Sequence, residues 1–390
     1  MPPPALSAPG LGPTGVRRSE PMSIGNRIQT FEDVRQLARG YLPWMVFDYI
    51  DGAAGEEVGE RLNRETIRAL RLQPRILNDV EHRNLKMHIF GQEAGMPFGI
   101  CPMGMCNLAR PGADLMLARL AAKHGIPHGV STAASTSLER MSETAEGNAW
   151  FQLYFSGNQE ASLGLLKRAE VAGYKTLILT VDVPEVGHRP RELRRGFRAP
   201  FKIGPSQFID FTLHPRWSLG TLFNGAPELA NFSGDQATFD RHASRAGADW
   251  SLLNRLRDVW KGYFVVKGVL DVEDAARLQA AGVDGIIVSS HGGRQLDSVP
   301  PPILALRAIR VALGDKYPLF YDSGIRSGED IVKAYAMGAD YVFVGRALLF
   351  AMAAGGEAGL ARMVELMAKQ VSITLAQMGL SRMSDIPALK

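Results

Sequence analysis

One stretch of the 390-residue sequence gathers residues able to do chemistry: Ser289-Ser-His291-Gly-Gly-Arg294-Gln-Leu-Asp297. Histidine is the side chain best suited to take a proton near neutral pH. Arg294, three residues on, offers a planar fork of donors matched to a carboxylate. The two glycines between them permit a tight turn and let a planar ligand approach the backbone. A base and an anion clamp at this spacing suit proton removal from an acid substrate. Asp182, in Thr180-Val-Asp182, is the candidate partner that would orient the imidazole and stabilise its cation. Lys267, in Phe264-Val-Val-Lys267-Gly, reads two ways. It could form a Schiff base, or place a cation beside the electron-rich edge of a cofactor ring. Asp322-Ser-Gly324-Ile-Arg326 and Gly345-Arg346 combine glycines with cations, as a phosphate site does.

These residues need a scaffold that brings them together. Short β-rich apolar runs occur at 96–103, 127–132, 149–155, 176–182, 263–269, 285–290, 318–324 and 341–346. Helix-like segments separate them at 112–124, 137–145, 158–172, 249–260, 271–281, 302–313 and 328–337, and a last one covers 356–379. Gly173, Gly282 and Gly338 stand before strands where a helix C-cap belongs. Alternation of this kind predicts a (β/α)8 TIM barrel. An open doubly wound sheet would place G-x-G-x-x-G after its first strand, and CPMGMCNLARPG does not fit. In barrels the active site lies at the carboxyl ends of the strands. Those ends carry Met103-Gly104, Ser131-Thr132, Gln152 with Tyr154, Thr180 with Asp182, Lys267, Ser289 with His291, Asp322, and Gly345-Arg346. Polar groups in apolar strands cost free energy unless paired, so a set at all eight ends points to a site.

The Pro- and Gly-rich residues 1–29 predict a poorly ordered tail, and 30–390 one barrel domain with an N-terminal helical extension. Thr30-Phe-Glu-Asp33 reads as a capping box, and Glu56–Leu70 as a second helix. The connection after the fourth strand is about twice what a loop and helix need, so 183–248 is expected to form an active-site lid or insertion. From Val186 to Trp217 it holds seven Lys/Arg against two acids, interleaved with Phe197, Phe201, Ile203, Phe208, Ile209, Phe211 and Trp217. That composition suits an anionic membrane surface over 186–223, and equally a folded lid with Arg189 and Arg191 committed to substrate. Elsewhere no run approaches the eighteen or so apolar residues needed to cross a bilayer. A net charge of +4, evenly spread, argues against a nucleic-acid partner. Two cysteines, Cys101 and Cys106, exclude a disulfide scaffold and any Cys-rich metal site, and read as packed small hydrophobes in a reduced, cytoplasmic compartment.

Taken together, LPWMVFDYIDGAAGEE, FQLY, LTVDVP, VKGVL, SSHGGRQLD and DSGIRSGEDIVKAYAMGAD resemble the FMN-dependent L-2-hydroxy acid oxidases and dehydrogenases, from about Thr30 to the C-terminus. His214–Leu219, HPRWSL, looks most like the lactate and mandelate dehydrogenase branch. The resemblance implies oxidation of a 2-hydroxy acid, with electrons passing to O2 or a quinone, in a homotetramer. It implies catalytic and substrate-binding roles for His291, Asp182, Arg189, Arg294, Tyr49 and Tyr154. The flavin ring would lie on Pro102, Met103 and Gly104, with Ser131, Gln152 and Thr180 at its polar edge. Lys267 would face its N1/O2 side beside Ser289, which removes the Schiff-base reading. Asp322 would hold the ribityl chain, and Gly324, Arg326, Gly345 and Arg346 the phosphate. Ala133 stands where glycolate oxidase has Trp, and Gly104 where it has Ala. Both changes enlarge the space over the flavin and point to a substrate larger than glycolate. An FMN-dependent isomerase on the same barrel is the alternative.

Overall fold

In a computed structural model, which describes residues 24–155, 157–197, 203–232 and 244–389, the eight expected strands close into one parallel barrel. Four helices precede it: α1 (Ile24–Arg27), α2 (Phe31–Tyr41), α3 (Trp44–Asp51) and α4 (Val58–Ala69). A hairpin of β1 (Met87–Ile89) and β2 (Gln92–Ala94) follows. The barrel then runs β3 (Phe98–Met103), α5 (Ala113–His124), β4 (His128–Ser131), α6 (Leu138–Ala145), β5 (Ala149–Tyr154), α7 (Gln159–Val171) and β6 (Thr176–Thr180). The insertion adds α8 (Pro190–Arg194), α9 (Pro205–Leu213) and α10 (Pro215–Asn224) before α11 (Trp250–Val259). The barrel closes through β7 (Tyr263–Val269), α12 (Val272–Ala280), β8 (Gly285–Val288), α13 (Pro302–Leu313), β9 (Leu319–Tyr321), α14 (Gly328–Ala336), β10 (Tyr341–Val344) and α15 (Arg346–Gln377). Each strand pairs with its sequence neighbour, and β10 pairs with β3.

Period-two alternation along the strands sorts side chains to the two faces of the barrel wall. Outward residues such as Phe98, Phe151, Leu177 and Val266 join the helices in the larger core. Inward residues Trp150, Ile178, Val265, Ile287, Phe320, Tyr341 and Phe343 form a smaller one. The hairpin caps that inner core at the amino ends of the strands. Its turn residues Phe90 and Gly91 have φ of 50° and 75°, the left-handed pair a tight hairpin requires. Phe90 stacks on Tyr263 with ring centroids 4.1 Å apart. This end is apolar and filled, which leaves the carboxyl end for the site.

Two boundary expectations are corrected. The tail of 1–29 is too long: Ile24–Arg27 is helical and Ile28 is fully buried, while residues 1–23 lie outside the described ones. The last helix begins at Arg346, not 356, with a kink at Gly356 (φ 58°) where Arg110 donates to the carbonyls of Met352 and Ala353. That helix is long and apolar enough to cross a membrane, yet 67% of its apolar window is buried in the fold, so it is a core helix here. Helix α3 and the hairpin carried no expectation, because eight residues and two three-residue strands are too short to show a period. The capping box is present as read: Thr30 Oγ1 accepts from the Asp33 N–H at 3.2 Å, and Asp33 accepts from the Thr30 N–H at 2.8 Å.

Candidate active site

The carboxyl ends of the strands surround a cavity of about 1380 Å3, its open mouth included. On its floor two hydrogen-bonded chains satisfy the inward polar residues. Ser131 donates to Gln152 at 2.9 Å, and Gln152 donates to Thr180 at 3.0 Å. Lys267 donates to Ser289 at 2.7 Å and pairs with Asp322 at 3.0 Å. Asp322 also accepts from Ser289, and from the Cys101 thiol at 3.2 Å. Burial works to depress the Lys267 pKa, but Asp322 and Asp182 override it and hold the ammonium above its ordinary range. A lysine kept protonated this firmly is no Schiff-base nucleophile. Gln152, Thr180 and Ser289 sit one layer behind the cavity surface, whereas Ser131, Lys267 and Asp322 line it. Cys101 lines it too, so only Cys106 is the packed hydrophobe expected.

At one wall, His291 Nδ1 lies 3.0 Å from Asp182 Oδ1. Its Nε2 lies 3.3 Å from the Tyr154 hydroxyl. Burial lowers the His291 pKa against the opposing pull of Asp182, so the ring is a neutral base at pH 7. Two glycine features make this geometry. Gly268 has φ of 101°, and a Cβ there would meet the Asp182 side chain at 2.5 Å, so only glycine admits the carboxylate. After His291, itself at φ 56°, Gly292 and Gly293 make the expected turn with φ of 64° and 76°. Their open sides face the Arg346 guanidinium and the backbone of Glu60, however, and not a ligand. The close approach is protein against protein.

Arg189 and Arg294 meet at the mouth. The Arg189 Nε donates to the Arg294 carbonyl at 3.0 Å, and both guanidinium groups bond one carboxylate oxygen, Oε1 of Glu192, at 3.3 and 2.9 Å. Glu192 is almost fully buried on α8. Two arginines and one glutamate leave a net charge of +1 at the clamp, suited to a single carboxylate. Arg294 spends both Nη1 protons on the Tyr49 and Gly52 carbonyls, which fixes the plane of its fork. Tyr49 lines the cavity, stacked on Phe197 at 4.4 Å and 8°. Arg191 is not available to substrate: it pairs with Asp48, Asp51 and Glu57 and clamps the insertion to α3.

At another wall, Arg326 is buried and Arg346 half-buried beside Gly324 and Gly345. Arg346 donates to the carbonyls of Ile50, Gly292 and Gly52. Burial, with Arg326 and Arg294 beside it, pushes its pKa down to about 9. Arg326 Nε is buried with no acceptor. Clustered, desolvated cations of this kind call for an anion. A Cβ at Gly345 would meet nothing nearer than 3.5 Å, so the cradle is open there. These residues fit the phosphate of FMN. Pro102, Met103 and Gly104 present the floor backbone. A Cβ at Gly104 would come within 3.1 Å of Ala133 Cβ, so the two substitutions open one shared gap.

Sequence reasoning missed Glu192, which looks like an ordinary helix acid, and Arg245, which lines the cavity from the far end of the insertion. Within that insertion the aromatics divide. Phe197 and Trp217 are buried, Phe208 and Ile209 are exposed, and Phe201 lies outside the described residues. Asp210 accepts from the N–H groups of Trp44 and Met45, capping α3 from 165 residues away. Trp217 donates to the Leu108 carbonyl at 2.7 Å. The insertion is thus anchored on its inner side while its outer side stays apolar.

Residues 38–389 match the family model described as FMN-dependent dehydrogenase. The chain is 42% identical over 355 residues to (S)-mandelate dehydrogenase of Pseudomonas putida, covering 89% of this chain and 90% of that protein. It is 36% identical to L-lactate dehydrogenase of Pectobacterium atrosepticum, covering 92% and 95%. A solved structure described as the monotopic membrane protein (S)-mandelate dehydrogenase superposes with a TM-score of 0.88 at 39% identity, over 92% of this chain and 98% of that one. A mandelate oxidase superposes at 0.79 and 34% identity, over 92% and 97%. These relatives leave the isomerase and aldolase alternatives without support.

Proposed function

The chain belongs to the FMN-dependent dehydrogenase family, and from that premise we propose that it oxidises an L-2-hydroxy acid with a bulky, aryl-like side chain and passes the electrons to a membrane quinone. It is an FMN-dependent 2-hydroxy acid oxidoreductase. The observation that carries the hydroxy acid chemistry is the His291–Asp182 pair facing the Arg189–Arg294 clamp across one cavity. The substrate carboxylate docks on the two arginines, whose charge Glu192 half-balances. Its hydroxyl and α-carbon then come to Nε2 of His291, beside the Tyr154 hydroxyl. His291 takes the proton at Nε2, while Asp182 at Nδ1 holds the tautomer and stabilises the resulting cation. FMN, when bound, supplies the two-electron acceptor. Lys267 keeps a fixed positive charge on the floor, and Asp322 and Ser289 hold that ammonium in place. Arg326 and Arg346, with Gly324 and Gly345, take the phosphate. The gap shared by Gly104 and Ala133, continued by Leu229 and Val186, gives the side chain an apolar wall. Anaerobic mixing with a panel of L-2-hydroxy acids, followed at 450 nm, tests this reading. Bleaching by mandelate in preference to glycolate supports it, and the reverse order refutes the bulky-substrate reading.

Membrane delivery rests on the outer side of α9 and α10, where Phe208, Ile209, Leu213, Leu219, Leu222 and Phe223 are all exposed. Scattered exposed apolar residues are ordinary, but this concentration on one helix pair is not. Arg191 and Arg195 of the basic stretch are spent on Asp48, Asp51 and Glu57. The attachment is therefore chiefly apolar, at the cytoplasmic face, and resists salt. Flotation with phosphatidylglycerol vesicles checks it: wild type floats and Phe208→Asp/Phe223→Asp does not. Wild type that stays unbound at low salt ends the membrane reading. Reduced enzyme that reoxidises faster with air than with a quinone ends the quinone reading. A homotetramer belongs to the same proposal and is read by light scattering.

A further inference from the structure

Glu60 is an acid set against the cations that take the FMN phosphate. It sits in the first turn of α4, where its Oε1 accepts from Arg326 Nη2 at 3.1 Å and lies 3.0 Å from Arg64 Nε. The Arg326–Glu60 pair is shielded from solvent, with side chains 9% and 15% exposed. Arg64 is the more open partner, so water and salt screen it more. The position of Glu60 is fixed from several sides. Asp297 accepts from the N–H groups of Glu56 and Gly59 at 2.9 and 2.8 Å, which holds the start of α4 on the loop after His291. Gly293 permits this approach, since a Cβ there would lie 2.6 Å from the Glu60 nitrogen. Further along α4, Asn63 donates to Ser290 at 2.9 Å. Burial lowers the pKa of Arg326 and of Arg346, and Glu60 opposes it at both. Arg346 donates to backbone carbonyls. Among the described residues, Glu60 therefore supplies the carboxylate that bonds a cradle guanidinium.

A phosphate monoester carries about −1.5 to −2 charges at pH 7. Arg326 and Arg346 alone would match it, whereas with Glu60 the three side chains leave a net charge of +1. The phosphate then meets less charge than the guanidinium groups could offer. A buried arginine without a counter-anion is costly to the fold, so the same carboxylate supports Arg326 in the flavin-free protein. Resting on the phosphate assignment above, we infer that Glu60 is a built-in counter-anion of the cradle, which stabilises the flavin-free protein and loosens its hold on FMN through the phosphate. Cofactor retention is thereby set below what the two arginines permit.

The test uses the full chain, stripped of flavin and reconstituted, with FMN and riboflavin as matched probes that differ by the phosphate. Affinity is read from quenching of flavin fluorescence, and stability from thermal melts of the flavin-free protein. Wild type should prefer FMN. Glu60→Gln keeps an acceptor for Arg326 and removes the charge. It should raise the FMN-to-riboflavin affinity ratio roughly tenfold, the scale of one unit charge acting across an arginine's width near a protein surface. Riboflavin affinity should hold, and the flavin-free variant should melt lower. Glu60→Asp retains the charge and should keep the wild-type ratio. A ratio that is unchanged or falls in Glu60→Gln overturns the counter-anion, and so does an equal gain for both flavins. A flavin-free variant that melts as high as wild type overturns its stabilising role. Wild type that binds the two flavins equally refutes the phosphate assignment itself, and the counter-anion falls with it.

Discussion

Replacing Glu192 separates the charge of the anion clamp from its geometry. Arg189 and Arg294 both bond its Oε1, at 3.3 and 2.9 Å, and the carboxylate is 6% exposed, so solvent does little to screen the pairs. Glutamine keeps an oxygen at that position and removes the charge, whereas alanine removes both. A hydrogen bond to a charged group contributes about 1.5–3 kcal/mol, so alanine forfeits roughly 3–6 kcal/mol, divided between the fold and the site. If about 3 kcal/mol reaches the transition state, kcat/KM falls roughly a hundredfold. Glutamine acts in the other direction on binding. Two half-buried guanidinium ions then face one substrate carboxylate, so the 2-oxo acid product binds about tenfold tighter and kcat falls as release slows. Anaerobic stopped-flow reduction at 450 nm, with product titrated against the oxidised flavin spectrum, reads both effects. Wild-type kcat/KM in Glu192→Ala, or identical behaviour of the alanine and glutamine variants, would refute the idea that this residue both orients and half-neutralises the clamp.

His291→Ala should retain FMN yet leave it unreduced by substrate; wild-type reduction rates would remove His291 from the mechanism. Because burial holds the imidazole below its ordinary 6.5, the basic form persists and kcat/KM should stay level down to that pH before falling. Asp182→Asn removes the strongest opposing influence, so the acid limb should move lower still while the rate drops about a hundredfold or more; an acid limb that moves up would contradict this assignment. Asp114, buried behind the loop that carries Ala133, is pushed by burial up to about 6 from 3.8. The folded state then binds its proton more tightly than the unfolded chain does, so the contribution of this group to stability is fullest below pH 3.8 and declines by up to about 3 kcal/mol as pH rises through 6. Asp114→Asn should flatten that slope in thermal melts between pH 4 and 6. Arg326→Gln should weaken FMN retention by roughly ten- to a hundredfold, measured by flavin fluorescence on dilution, and unchanged retention would take Arg326 out of the phosphate cradle.

What the chain determined by itself is what local chemistry can carry. Alternating short strands and capped helices spelled a barrel, since period and turn residues are set within about ten positions of one another. A polar residue at each strand end, with the barrel rule, located the site before any partner was known. The run from His291 to Arg294 declared a base and a clamp through residue type and spacing alone. Only the tertiary structure decided which charges meet. Arg189, Arg191 and Arg195 read alike in sequence, yet one faces substrate and the other two are spent on Asp48, Asp51 and Glu57. Glu192 joins arginines on separate segments, and Asp210 caps a helix 165 residues away. Arg245 enters the cavity because the insertion folds back on Pro184. Electrostatic pairing depends on distance in space and on the exclusion of water, and neither is written in the spacing of residues along the chain.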